Sequence, residues 1–257
     1  MSLLTEVFAA LREQRLEIVD LTAPLTSSTP VLRLPEPFAN TINFQLEEIS
    51  RYDERGPRWY WNNIHTGEHT GTHLDAPNHW LSGKDGPDVA GVSLRTLVAP
   101  AVVLDASARV AEDPDFLLQI DDVRKWQEEH GPLPDGGWLL YRTGWDTRSD
   151  DADEFLNVDD TGSHTPGVAA ECARWLAEET PIAGLGVETV GTDAGRAMEL
   201  DPMFPCHELI LGAGKCGLTQ LRNLDRLPAT GALLLVSPLP IVGGSGSPAR
   251  VLALVER

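Results

Sequence analysis

Apolar positions gather eight times along the chain into short runs rich in branched and aromatic side chains, bounded by turn residues. The runs are RLEIVDL (15–21), INFQLEEI (42–49), WYWNNI (59–64), AVVLDA (101–106), GWLLYR (137–142), IAGLGVE (182–188), ALLLVS (232–237) and VLALVE (251–256), and each predicts a β-strand. Two segments carry helical signals instead. DDVRKWQEEH (121–130) opens on a capping Asp121 and stops before Gly131 and Pro132, whereas PGVAAECARWLAEE (166–179) has Thr165 as N-cap and Pro166 in its first turn. At the N-terminus Leu3, Leu4, Val7, Phe8 and Leu11 recur at helical spacing, but Glu6, Arg12 and Glu13 interrupt the apolar stretch that a secretion signal needs. This predicts a surface helix within residues 1–16.

Strands outnumber helices, and neither an internal repeat nor a low-complexity linker divides the chain. The expectation is one α/β domain over residues 1–257 with a mostly β core. Residues 147–165, TRSDDADEFLNVDDTGSHT, are polar and acidic enough to form a surface excursion.

Charge narrows the choice of partners. The 39 acidic residues against 20 basic ones leave a formal charge of -19 at pH 7, which disfavours nucleic acid and anionic membrane surfaces. The most apolar stretch, GALLLVSPLPIV (231–242), is too short and too rich in proline to span a bilayer, so a cytoplasmic location is expected. Cys172, Cys206 and Cys216 form no CxxC pair and fit reduced thiols.

The densest chemistry lies in HTGTHLDAPNH, residues 69–79. Of the seven histidines, His65, His69, His73 and His79 fall between 65 and 79. His69, His73 and Asp75 project to one side of an extended segment, whereas Gly71 and Pro77 oppose a regular helix. Two neutral imidazoles and a carboxylate suit a divalent ion such as Mn²⁺ or Zn²⁺, and three protein ligands leave positions open for activating water. His79, beyond the turn at Pro77, is placed as a general base with a pKa suited to neutral pH. His65 reads as a neighbour of the site. The alternative for the whole cluster is a set of ordinary hydrogen-bonding histidines.

The motif His-x-Gly-Thr-His-x-Asp-x-Pro-x-His resembles that of the cyclase family of metal-dependent hydrolases. The similarity continues through GVETVGTD (186–193), PCHELILGAG (205–214) and the segment 221–248. The resemblance implies a swivelling β/β/α fold, a homodimer or larger assembly, metal on His69, His73 and Asp75, and catalysis by His79. Formamidase members carry a histidine matched by His207 and, twelve residues on, a glutamate that helps to hold a second metal. Thr219 stands there, so one metal per subunit is expected, with His207 and Thr219 as a hydrogen-bonded pair that passes a proton outward; a slip of one residue would make Gln220 the inward side chain. A hydroxyl residue at this place is like the isatin-opening members. Trp59, Trp61 and Trp80 are flat surfaces fit for a bicyclic substrate, with core packing as their alternative.

These readings lead to a metal-dependent amidohydrolase acting on an aromatic cyclic amide, isatin to isatinate as the leading case. Hydrolysis of N-formylkynurenine is the second reading, and an inactive metal-dependent binder the third. Glu188 and Asp193, at the end of an apolar strand, suit bonds to loop amides. GGSGSP (243–248) could present backbone N–H groups to an oxyanion or simply form a turn. Cys206 beside His207 and the sequence HELIL from 207 read as structural.

Overall fold

A computed structural model describes residues 2–34 and 36–257. In chain order the strands are β1 (Leu16–Asp20), β2 (Gln45–Arg51), β3 (Tyr60–His65), β4 (His73–Asp75), β5 (Val98–Asp105), β6 (Leu117–Leu118), β7 (Trp138–Arg142), β8 (Val158–Asp159), β9 (Gly162–Ser163), β10 (Gly167–Val168), β11 (Gly184–Val187), β12 (Cys216–Thr219), β13 (Ala232–Pro238) and β14 (Gly246–Glu256). Eight of them hydrogen-bond in the order β1-β14-β13-β5-β7-β11-β12-β4, and a further pairing of β14 with β4 joins the two sides. That pairing closes every member except β1 into a barrel. It is possible because β14 is long: Gly246–Pro248 pair with β4, while the residues after them pair with β13 and β1.

Period-two alternation explains the apolar runs. On β7, Trp138 and Leu140 enter the barrel interior with Val103 of β5 and Leu234 of β13. Leu139 and Tyr141 face outward and pack with Val123, Leu176 and Cys172 beneath the helices Ile120–His130 and Ala170–Glu178. GWLLYR is continuously apolar because this strand is buried on both faces.

Every predicted strand is present, and two helix starts are corrected. The first begins at Ile120, not Asp121. Its cap is Gln119, whose backbone N–H donates to Asp122 at 2.9 Å in a reciprocal capping box. The second begins at Ala170 rather than Pro166, with Ala169 as N-cap instead of Thr165. Gly167 and Val168 are drawn into a parallel pairing with β6, and a Cβ on Gly167 would lie 2.3 Å from the Ala194 nitrogen, so tertiary contact overrides the local helix signal. The N-terminal helix is Leu3–Arg12, capped by Ser2. The 147–165 excursion is anchored by Phe155, fully buried, whose carbonyl accepts the Trp145 indole N–H at 2.8 Å. Periodicity did not reveal β4 or β12, which are only 3 and 4 residues long.

Candidate hydrolytic metal site

The histidine motif enters the barrel wall through its shortest strand. His69 precedes β4, His73 and Asp75 lie on it, and a single 3-10 turn, Pro77–His79, brings His79 back over the same end. Register places Asp75 opposite Gly217 of β12 and Gly246 of β14. The absence of side chains there is required: a Cβ on Gly217 would approach Asp75 Oδ2 to 2.9 Å, and one on Gly246 would approach His69 Cε1 to 2.5 Å. Two glycines far apart in sequence thus leave room for two members of the motif.

Asp75 Oδ1 is the focus. His69 Nδ1 lies 2.7 Å and His73 Nε2 3.2 Å from it. His73 Nδ1 faces the Gly71 carbonyl at 2.7 Å, which holds that nitrogen as the N–H donor and leaves Nε2 its lone pair. Asp75 is 2% exposed; burial alone would raise its pKa, but His73 and His69 outweigh burial and hold the carboxyl well below its ordinary range.

His79 stacks on His69 with ring centroids 3.8 Å apart. Donor atoms of His69, Asp75 and His79 lie within 4.8 Å of one another, so His79 as well as His73 stands within reach of the carboxylate. The pKa of His79 is pushed down to about 3, first by burial, with Asp75 opposing and His69, His207 and His73 adding to the depression. This differs from the neutral-range value expected from the sequence, first because the ring is buried and then because three other imidazoles crowd the same pocket.

His207 stands 5.4 Å from His79, ring to ring, on an irregular helical turn of π type, Cys206–Leu211. The predicted His207–Thr219 pair is not formed. His207 Nδ1 meets Asp193 Oδ2 at 2.5 Å, and Asp193 also accepts the backbone N–H groups of Cys206 and His207. Burial lowers the His207 pKa, but the Asp193 hydrogen bond and charge outweigh it and the net direction is upward. Thr219, not Gln220, faces the site; its Oγ1 lies 2.9 Å from His73 Nδ1 and 3.2 Å from Nε2. Gln220 turns away and donates to the Pro30 carbonyl.

Trp80 joins the site, its ring 4.8 Å from His207 and 5.6 Å from Phe204, with its N–H donated to Glu208. Among the described residues, ring contacts to the histidine cluster come from Trp80 and not from Trp59 or Trp61, which are about half exposed beside or on the β2–β3 hairpin. His65 pairs with Glu47 on that hairpin, apart from the cluster. Glu188 does bond loop amides, accepting from Thr143 and Gly144 at 2.6 Å each. Cys206 is buried and its thiol is pushed well up by burial, which fits a structural role. Sequence reasoning passed over Glu68: its carboxylate accepts both the backbone N–H and the hydroxyl of Ser245, in the GGSGSP segment, and that hydroxyl is 2.8 Å from His69 Nε2.

The donor set fits a divalent cation. Nitrogen lone pairs and a carboxylate oxygen converge on one point without a thiolate, the composition expected of an ion that keeps sites open for other ligands. A barrel-borne cluster of this kind is a candidate site for a divalent metal ion. The family model described as "Putative cyclase" matches residues 19–194, and the chain belongs to the cyclase family.

Within that family it is 44% identical over 259 residues to an isatin hydrolase of Roseibium aggregatum, covering 100% of this chain and 98% of the relative. A kynurenine formamidase of Bacillus cereus is 26% identical over 238 residues, 91% of this chain and 95% of that protein. The structure of isatin hydrolase A from Ralstonia solanacearum superposes with a TM-score of 0.96 at 49% identity, covering 100% of this chain and 98% of the other. An isatin hydrolase bound to the product analogue thioisatinate gives 0.96 at 44% identity, with 100% of both chains covered.

Proposed function

We propose that this protein hydrolyses the cyclic amide of isatin to isatinate. The observation that carries the reading is the convergence of His69, His73 and Asp75 beside His79, in a chain similar over its whole length to isatin hydrolases. His69, His73 and Asp75 would hold one divalent ion per subunit, Mn²⁺ or Zn²⁺, which supplies Lewis acidity to the amide carbonyl and lowers the pKa of water.

His79, stacked on His69 at the edge of the cluster, would take the proton of the attacking water. The oxygen of that water forms the new bond to the carbonyl carbon as the C–N bond breaks. His79 then returns the proton to the departing aryl nitrogen. The new carboxylic acid ionises, leaving one proton to clear. His207 is suited to hold it, because Asp193 favours its charged form. Trp80 and Phe204 present a flat apolar wall beside these groups, suited to the fused ring of the substrate.

The N-formylkynurenine reading is disfavoured by Thr219, since a hydroxyl replaces the carboxylate that would help to hold a second cation. Turnover of isatin and of N-formylkynurenine by metal-reconstituted protein, each followed by absorbance, tests the ranking. Higher kcat/KM on the formamide reverses it. Tight binding without turnover of either compound favours the inactive binder.

We read the assembly as a homodimer. Leu46 and Ile64 form a cross-strand pair on the β2–β3 hairpin, both exposed, and Trp61 is exposed on the other face. A two-stranded ribbon is marginal when uncovered. No helix among the described residues is long and apolar enough to cross a membrane. The three buried free cysteines support a reducing compartment, the cytoplasm.

A further inference from the structure

We propose that Glu68 and Ser245 are positioning residues for the cation site: together they set the tautomer of His69 so that Nδ1 keeps its lone pair toward Asp75. This rests on the reading of His69 as a ligand.

The assignment follows hydrogen by hydrogen. Glu68 Oε2 accepts the Ser245 backbone N–H at 3.1 Å and the Ser245 hydroxyl at 2.7 Å. With its only hydrogen committed to Glu68, Ser245 Oγ can only accept from His69 Nε2, 2.8 Å away. His69 therefore carries a proton on Nε2, which leaves Nδ1, 2.7 Å from Asp75 Oδ1, as the nitrogen whose lone pair a cation can take. Two acceptors at that separation repel unless a proton or a cation lies between them. A hydrogen-bonded chain from carboxylate through hydroxyl to imidazole thus prepares the pair for a cation and makes the imidazole a better donor to it.

The backbone around Ser245 is built for this contact. Its carbonyl accepts the Ala76 N–H at 2.9 Å, fixing the segment to the residue after Asp75. The glycines on either side make the space: a Cβ on Gly244 would fall 2.8 Å from Glu68 Oε1, and one on Gly246 would fall 2.5 Å from His69 Cε1. Gly-Ser-Gly at 244–246 admits the glutamate on one side of the serine and the imidazole on the other. Neither reading of GGSGSP from sequence, an oxyanion nest or a plain turn, included this role.

Zn²⁺ affinity, measured by competition with a chromophoric chelator, tests the proposal with Ser245→Ala, Glu68→Ala and Ser245→Thr. The alanine variants should bind Zn²⁺ roughly 10- to 100-fold more weakly, as loss of an outer partner of a ligating histidine commonly does, while threonine, which keeps the hydroxyl, restores affinity. In ¹⁵N-labelled wild-type protein loaded with Zn²⁺, long-range ¹H–¹⁵N spectra should show His69 protonated on Nε2 and not on Nδ1. This second measurement needs no variant to fold. Wild-type affinity in both alanine variants, or a proton on His69 Nδ1 in the wild type, overturns the positioning role. Failure of the wild type to bind Zn²⁺ overturns the ligand reading beneath it, a result distinct from the others.

Discussion

At the scale of single residues, the roles of His79 and Asp75 separate by experiment. Asp75→Ala should release the metal, read by elemental analysis, because it removes the oxygen on which both imidazoles converge. His79→Ala should retain the metal and lower kcat by roughly 10²-fold or more, the usual size of general-base help. If His79→Ala instead loses the ion, His79 belongs among the ligands, as its donor atom within 4.8 Å of those of His69 and Asp75 would allow.

Glu188 offers a test of pH dependence away from the cluster. Burial, reinforced by Asp146, raises its pKa from 4.5 to about 7 despite the hydrogen bonds from Thr143 and Gly144. A group whose folded pKa is raised stabilises fully below its unfolded value, and that contribution disappears as pH climbs through the folded value. Relative to Glu188→Gln, the metal-free wild type should therefore lose stability between pH 4.5 and about 7, by on the order of 3 kcal/mol. Urea unfolding of both proteins across this range measures the difference. A flat difference shows that the amide donors alone set the carboxyl.

The four residues of the motif were legible from spacing because they fall within eleven positions. Their partners were not. Asp193 reaches His207 across 14 positions and Ser245 reaches His69 across 176, distances that no local pattern encodes.

At the scale of elements, long or doubly buried strands announced themselves, since β7 and β5 supply a run of apolar residues to two packed layers. β4 and β12 did not, because three or four residues give too few alternations to read. Yet these two, with the start of β14, make the floor of the site. Gly217→Ala should expose that dependence: its methyl group would press on Asp75 Oδ2 from 2.9 Å, forcing the carboxylate to move. Weaker metal binding with a far-ultraviolet circular dichroism spectrum like that of the wild type is expected. Unchanged affinity would mean that Asp75 has slack that its burial does not suggest.

At the scale of the whole molecule, closure and charge matter. The barrel leaves the β2–β3 hairpin outside its wall, with Trp59, Trp61 and Ile64 exposed. If a second copy covers it, light scattering should give twice the 28.0 kDa chain mass, and Trp61→Glu should shift the population toward monomer. A monomeric wild type defeats the dimer reading. The charge of -19 leaves a neutral substrate unaffected at long range but repels a carboxylate product, so product inhibition should strengthen as salt screens that field.

The double duty of β14 has a consequence for biosynthesis. Its opening residues wall in a cluster set down near position 75, so a ribosome must add some 176 further amino acids before His69 meets Ser245. Nascent chains halted before Ser245 would carry every proposed ligand and still lack the hydroxyl that orients His69. Cation capture should consequently coincide with barrel completion, rather than precede it as a nucleus for folding.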